Sequence, residues 1–322
     1  MPELPEVETI RIGLSALLPG RRVIDVAYDW PKSFPNAESD VQRFLVGATI
    51  TDVRRRAKVL IIDLDSDYSL VIHLKMTGQL VFVGKSQKQK DEGRMENEKG
   101  TSNLRHSSFT IHPSPNTERF GAGHPTDSLV GELPDKSTRV IFTFEDGSKL
   151  FFNDQRKFGW VRLLPTIEIQ ELDFFKKVGP EPLSETFATD DFITRLMRRE
   201  KSGIKAVLLD QTVVAGVGNI YADESLWAAK IHPLTRVMDV PKTKLRTLYT
   251  ELRRILRLSI EKGGSTDRNY VNHEGKRGSY LSFAQVFRRQ GQPCPRCGTI
   301  IIKIRAAGRG THICPRCQKE RV

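Results

Sequence analysis

A proline stands directly behind the initiator methionine, and carboxylates follow it at Glu3, Glu6 and Glu8. Once Met1 is removed, Pro2 carries the free amine of the chain. An α-amine titrates at about 7.7 to 8.0 against about 10.4 for a lysine, so near neutral pH an appreciable share is already the unprotonated nucleophile. A secondary amine that attacks a sugar or carbonyl carbon gives a cationic iminium, an electron sink that acidifies the neighbouring carbon and invites elimination. Glu3 is the expected acid and base beside it. The same letters also suit an ordinary helix start, where a proline's missing N–H costs nothing and carboxylates face the positive helix end. The rest of the chain has to decide between these readings.

The other chemistry-bearing cluster lies at the far end. Cys294-x2-Cys297 and Cys314-x2-Cys317 are separated by sixteen residues, the spacing of two thiolate pairs at the mouths of turns joined by a hairpin, which closes a tetrahedral zinc site. Two disulfides are the alternative, but no basic stretch followed by an apolar run opens the chain, so a cytoplasmic, reducing setting and Zn2+ are expected. With all four positions taken by cysteine the ion is expected to be structural. Arg305 and Arg309 fall on the hairpin, placed to meet phosphates. Val217-Gly218-Asn219-Ile220 reads as a helix N-terminus at which Asn219 either caps the helix or holds a phosphate.

These residues need elements to position them. Val7, Ile10, Leu14 and Leu17 recur at helical spacing until Pro19-Gly20. From Val23 the pattern turns to short strands, including Val59 to Leu64 and Leu70 to Leu74 across a polar turn, and Val140 to Phe144 joined to Leu150 to Phe152 through Glu145-Asp146-Gly147-Ser148. Lys58 precedes one of these strands, behind Arg54-Arg55-Arg56, a cluster that by itself reads as a solvated basic face. Residues 84–136 are polar, aperiodic and expected to be disordered. From Asp191 the period is helical, with Leu245, Leu248, Leu252, Ile255 and Leu256 on one face before Gly263-Gly264. The expected class is α+β. A β-rich domain is expected over 1–165, a linker over 166–182, a helical domain over 183–265, a loop and connection over 266–290, and a zinc finger over 291–322.

Net charge is +12 with pI about 9.6, which suits a polyanionic partner. Residues 261–322 hold thirteen Lys and Arg against four Asp and Glu, so the positive charge gathers around the cysteines. No window is apolar enough to span a bilayer, and no membrane association is expected.

The opening Met-Pro-Glu-Leu-Pro-Glu-Val-Glu-Thr resembles the start of the formamidopyrimidine-DNA glycosylases. Further matches are Lys58 before a strand, the His73-Leu74-Lys75-Met76-Thr77-Gly78 loop, the Asp154-Gln155-Arg156-Lys157-Phe158-Gly159 loop, the glycine-asparagine turn and the zinc hairpin; only 84–136 falls outside. The resemblance implies a β-sandwich-like N-terminal domain followed by a helix-two-turn-helix module and the zinc finger. It implies excision of 8-oxoguanine and formamidopyrimidines from duplex DNA, with Pro2 attacking C1′ of the flipped nucleotide and β- and δ-eliminations following. Pro2, Glu3, Lys58 and Arg309 form the catalytic set. His73, Met76, Arg156, Phe158 and Asn219 are the implied DNA contacts, Met76 and Phe158 filling the space of the extruded base. Thr266 to Ser282 correspond to a loop that closes over that base. A monomer without a small-molecule cofactor is expected. Lys75 stands where glycine is common in the family, Gln155 where proline is, and Lys157 where arginine is frequent.

Two other readings stay open on sequence alone. One keeps the architecture but prefers oxidised pyrimidines, as in the endonuclease VIII branch. Leu4-Pro5-Glu6-Val7-Glu8 and the Arg156-x-Phe158 pair favour purines. The other is a DNA-binding protein without catalysis, which would have no use for Pro2, Glu3 and Lys58 together.

Overall fold

The structure, a computed structural model, describes residues 2–85, 117–124, 127–264 and 280–320. Helix α1, Leu4–Ser15, buries Val7, Ile10 and Leu14, as the spacing predicts. Strands β1 (Val23–Tyr28), β2 (Ile50–Arg56), β3 (Val59–Leu64), β4 (Tyr68–His73), β5 (Gly78–Lys85), β6 (Thr117–Gly123), β7 (Thr138–Phe144), β8 (Lys149–Asp154) and β9 (Trp160–Pro165) follow, with a short turn of helix α2, Glu38–Asp40, between β1 and β2. They form two antiparallel sheets, ordered β1-β7-β8-β5-β6 and β2-β3-β4-β9. Leu60, Ile62, Leu70 and Ile72 of the second sheet meet Leu80, Phe82, Phe142 and Phe152 of the first in one core. The alternate residues Val59, Ile61 and Val71 point the other way and are buried as well. Both faces of β3 and β4 are therefore covered, which is why these strands read as continuous apolar runs.

The cover on that outer face corrects the expectation of a linker over 166–182. Residues 166–171 form a 3-10 turn and Asp173–Lys177 a short helix, α3, and their Ile169 and Phe175 seal the outer face of the second sheet. Only the stretch after Lys177 crosses to the helical unit. A second correction concerns 84–136. Gly84 and Lys85 complete β5, β6 lies within the stretch, and Asp127–Leu129 forms a 3-10 turn. Phe120, Ala122 and Leu129 are buried, so three apolar residues suffice to dock this segment although they show no period. Residues 86–116 and 125–126 lie outside the described residues, as do 265–279, which make up most of the expected closing loop.

The helical unit comprises α4 (Thr189–Met197), α5 (Ile204–Leu209), α6 (Asn219–Ala228) and α7 (Lys242–Glu261) around Phe192, Leu208, Tyr221, Leu226, Leu248 and Leu252. Strands β10 (Ile302–Ala306) and β11 (Arg309–Ile313) form the terminal hairpin. Helix α1 packs against β2, β3 and β6 on one side and α7 on the other, so the N-terminus sits where the two units meet.

Candidate active site

Pro2 precedes α1 rather than joining it: the helix begins at Leu4 with Glu3 as its N-cap residue, and Pro5 takes the early proline position. The ordinary-helix reading thus applies to Pro5 and leaves Pro2 unexplained. Pro2 lines a cleft of about 720 Å3 together with Glu3, Lys58, Met76, Asn219 and Arg309. Six of the nine sequence candidates outside the cysteines are brought to one place, from both halves of the chain.

Backbone geometry locks the start of α1 against the helical unit. The Leu4 N–H donates to the Gly216 carbonyl at 3.0 Å. Gly216 has φ +77°, and a Cβ there would stand 2.5 Å from the Leu4 Cβ; at Gly218 it would stand 2.2 Å from the Glu3 carboxyl carbon. Only glycine permits so close an approach. Gly218 is the N-cap residue of α6 and Asn219 its first turn, which corrects the reading of Asn219 as the cap. The Ile220 N–H instead donates to Glu3 Oε1 at 3.0 Å, so a carboxylate from the other end of the chain satisfies the positive end of α6. Glu3 Oε2 and Asn219 Oδ1 are buried and find no partner among the described residues. Asn219 Nδ2 donates to the Gly310 carbonyl at 3.1 Å, tying α6 to the hairpin.

Burial pushes the Glu3 carboxyl up to about 7, against the pull of the Lys58 charge. The same burial holds the Lys58 ammonium below its ordinary value, with Glu3 and Glu6 opposing. Lys58 occupies the second position of a two-residue turn between β2 and β3, and its Nζ donates to the Val217 carbonyl at 2.9 Å. Behind Glu3, Glu6 Oε2 accepts the Glu3 N–H at 2.7 Å and Glu6 Oε1 accepts the Tyr221 hydroxyl at 2.6 Å. Burial and the neighbouring carboxylates raise Tyr221 well above the usual phenol range, so it stays a donor.

The arginines before Lys58 are not a solvated face. Arg55 reaches Glu8 at 2.7 Å and Glu181 at 2.9 Å, Arg56 reaches Glu181 at 3.1 Å, and the Ala57 N–H donates to Glu181 at 2.6 Å. Arg54 pairs with Asp63. Glu181, 126 residues from Arg55, thereby clamps the crossing between the units and steadies the Lys58 turn.

Met76 lines the cleft, whereas Arg156 and Phe158 project beside it. Phe158 is 54% exposed among the described residues, a large apolar surface, and the Arg156 guanidinium lies 5.0 Å from its ring centroid. Asp154, the first residue of its loop motif, organises both loops. Its buried carboxylate accepts the Thr77 hydroxyl and the N–H groups of Arg156, Phe158 and Gly159, the last two at 2.8 and 2.6 Å. Asp154→Ala is expected to destabilise the protein by about 2 to 4 kcal/mol, since several buried donors lose their acceptor. Thermal denaturation checks this, together with a loss of base excision exceeding the loss of cleavage at a ready-made abasic site. Lys75 has φ +51° and Lys157 φ +58°, so Lys75 holds a conformation that glycine adopts freely. His73 lies off the cleft: its Nδ1 accepts the Lys75 N–H at 3.0 Å and its ring leans on Trp160. Burial lowers it to about 3, which keeps it neutral.

The four cysteine sulfurs lie within 4.8 Å of one another, with Sγ separations of 3.4, 3.6 and 4.0 Å among them. A tetrahedron of bonds of about 2.3 Å has edges of about 3.8 Å, so the cluster fits one zinc ion. Lys205, fully buried, bridges Asp223 on α6 and the Thr311 hydroxyl on β11, each at 2.6 Å. The hairpin that carries Arg309 is thus pinned to α6 on one side and to the metal site on the other. Stripping the zinc with a strong chelator, or Cys314→Ser, is expected to weaken DNA binding by on the order of tenfold or more as this hairpin loosens. Fluorescence anisotropy with a labelled duplex, before and after zinc is restored, measures it.

Three family models match the sequence: the formamidopyrimidine-DNA glycosylase N-terminal domain over residues 1–161, its H2TH domain over 178–270, and the zinc finger found in FPG and IleRS over 291–319. A formamidopyrimidine-DNA glycosylase from Streptococcus pyogenes is 40% identical over 325 aligned positions that cover the whole of both chains. That of Pelotomaculum thermopropionicum is 37% identical over 320, covering 99% of each. The Lactococcus lactis Fpg in complex with Fapy-dG containing DNA superposes with a TM-score of 0.78 at 32% identity, covering 99% of this chain and 100% of that one. MutM in complex with carbocyclic 8-oxo-G containing DNA gives 0.77 at the same identity and coverage.

Proposed function

Because the chain belongs to the formamidopyrimidine-DNA glycosylase family, we propose that it excises oxidised purines from duplex DNA and then cleaves the strand at the abasic site through an imine on Pro2. The observation that carries this reading is the convergence of Pro2, Glu3, Lys58 and Arg309 on one cleft built from both ends of the chain. Relatives solved with Fapy-dG and with abasic-site DNA support the same substrate class.

In this mechanism the Pro2 lone pair forms a bond to C1′ as the bond from C1′ to the purine breaks, and the purine leaves with the proton that the Pro2 nitrogen sheds. Glu3, protonated below about 7, gives its proton to O4′ as the sugar ring opens to the iminium. Loss of a proton from C2′ then expels the 3′ phosphate, and a second elimination across C4′ and C5′ expels the 5′ phosphate. Water releases the sugar remnant and restores the amine. Lys58 and Arg309 set positive charge around the phosphates and the departing base. Asn219 offers its amide at the N-terminus of α6, a position suited to a phosphate. Met76, Phe158 and Arg156 fill the space vacated by the extruded nucleotide, and one zinc ion on Cys294, Cys297, Cys314 and Cys317 holds the hairpin without taking part in the chemistry. None of the described helices is long and apolar enough to cross a membrane. The protein is read as acting as a monomer on chromosomal DNA in the cytoplasm, without a small-molecule cofactor.

The test compares single-turnover release of 8-oxoguanine opposite cytosine with release of thymine glycol. Faster processing of the purine supports this reading. Faster processing of the pyrimidine would move the protein to the endonuclease VIII branch.

A further inference from the structure

Strand β6 lies in the polar stretch 84–136 and carries none of the motif residues, yet it reaches the active-site cleft. It pairs with β5 along its whole length, from Lys85 opposite Thr117 to Gln79 opposite Gly123. On the other flank of β5, Gly78 lies opposite Asp154 of β8. One step past the last β6 pair, the His124 N–H donates to the Gly78 carbonyl at 3.1 Å. Three segments therefore end side by side at one edge of this sheet: the Arg156–Phe158 loop, the Met76 turn and His124.

The position of His124 is fixed rather than incidental. The Gln79 side-chain amide donates to the His124 carbonyl. Gly123, at φ +132°, lies so close to β5 that a Cβ would stand 2.6 Å from the Gly78 oxygen. Further back on β6, the Phe120 ring covers Gly13 of α1, where a Cβ would stand 2.1 Å from it. His124 is half-buried and lines the same cleft as Pro2, and its imidazole makes no hydrogen bond among the described residues. Burial first, and then the charge of Arg288, lower its basicity against the pull of Asp154. The ring is thus neutral near pH 7, with one donor and one acceptor. A neutral ring brings no charge to a phosphate, whereas its paired donor and acceptor suit a base edge, and the cleft around Pro2 must accommodate the base attached to C1′.

We propose that His124 forms a hydrogen-bonding wall of the lesion pocket, touching the extruded base rather than the DNA backbone, and thereby adds to the choice of base. This rests on the glycosylase reading above.

The experiment measures two single-turnover rates for wild type, His124→Ala and His124→Gln: release of 8-oxoguanine from a duplex, and strand cleavage at a plain abasic site, which has no base to touch. His124→Ala is expected to lower base release by about tenfold, the worth of one base-edge hydrogen bond, with a much smaller effect on abasic cleavage. His124→Gln, which keeps a donor and an acceptor, should recover part of the loss. Equal losses on both substrates would overturn the proposal in favour of a backbone contact or a damaged fold, and unchanged rates on both would overturn it outright. Wild-type protein inactive on both duplexes would overturn the glycosylase reading itself, which the variants alone do not test.

Discussion

Glu3→Gln is expected to lower base excision by about a thousandfold, the usual worth of a positioned acid. The amide keeps the shape of the side chain and one acceptor for the Ile220 N–H, so α6 should stay capped and DNA should still bind. What disappears is the transferable proton. Wild-type activity should fall as pH rises through about 7, where Glu3 loses that proton, and the remaining activity of the variant should lack this limb. Stability moves in a related way. A carboxyl raised from 4.5 to about 7 by burial favours the folded state fully below pH 4.5, and this contribution fades as pH rises through about 7. Since the substituted amide does not ionise, the melting temperature of Glu3→Gln relative to wild type should be higher at pH 8.5 than at pH 5. A relative melting temperature that does not change with pH would show that Glu3 ionises normally in the fold.

The second large effect concerns the amine itself. A variant in which Met1 cannot be removed, or in which an extra residue precedes Pro2, is expected to lose strand cleavage by on the order of 10⁴-fold or more. Such a chain has no secondary amine within reach of C1′, and no other nucleophile inherits its orientation. DNA affinity should change far less, because Met76, Asn219, Arg309 and the hairpin are untouched. Gel quantification of nicked abasic duplex, alongside anisotropy, separates the two. Cleavage at an undiminished rate would move the nucleophile elsewhere, Lys58 being the obvious alternative within the cleft.

Much of this was legible in the sequence because the signals are local. Helix α1 follows from the spacing of Val7, Ile10 and Leu14, and the metal site from two Cys-x2-Cys pairs, since neither needs knowledge of a distant partner. Lys58 stands out only by resemblance. Its neighbours Arg54, Arg55 and Arg56 read as solvated charge because Glu181, which takes up two of them, lies more than a hundred residues away. Asp154 was in view, yet its role depends on four donors from two loops converging on one buried carboxylate, and spacing gives no hint of that. The Lys205–Asp223 pair is hidden for a similar reason: fully buried charges look like surface charges until the fold shows where they lie. Strand β6 is not legible because only Phe120 and Ala122 mark its core face, too few apolar residues to show a period between Arg119, Gly121 and Gly123. Close approach at Gly13 and Gly123 lets Phe120 and the strand itself seat against α1 and β5.

The central claim is that the chain amine of Pro2 becomes covalently joined to C1′ of the damaged nucleotide. Mixing the protein with a duplex containing 8-oxoguanine opposite cytosine in the presence of borohydride reduces any imine to a stable amine, and mass spectrometry of the digested adduct locates it. The account predicts one adduct, on Pro2 of chains lacking Met1. An adduct on Lys58 or another lysine, or none with a plain abasic site either, would contradict it.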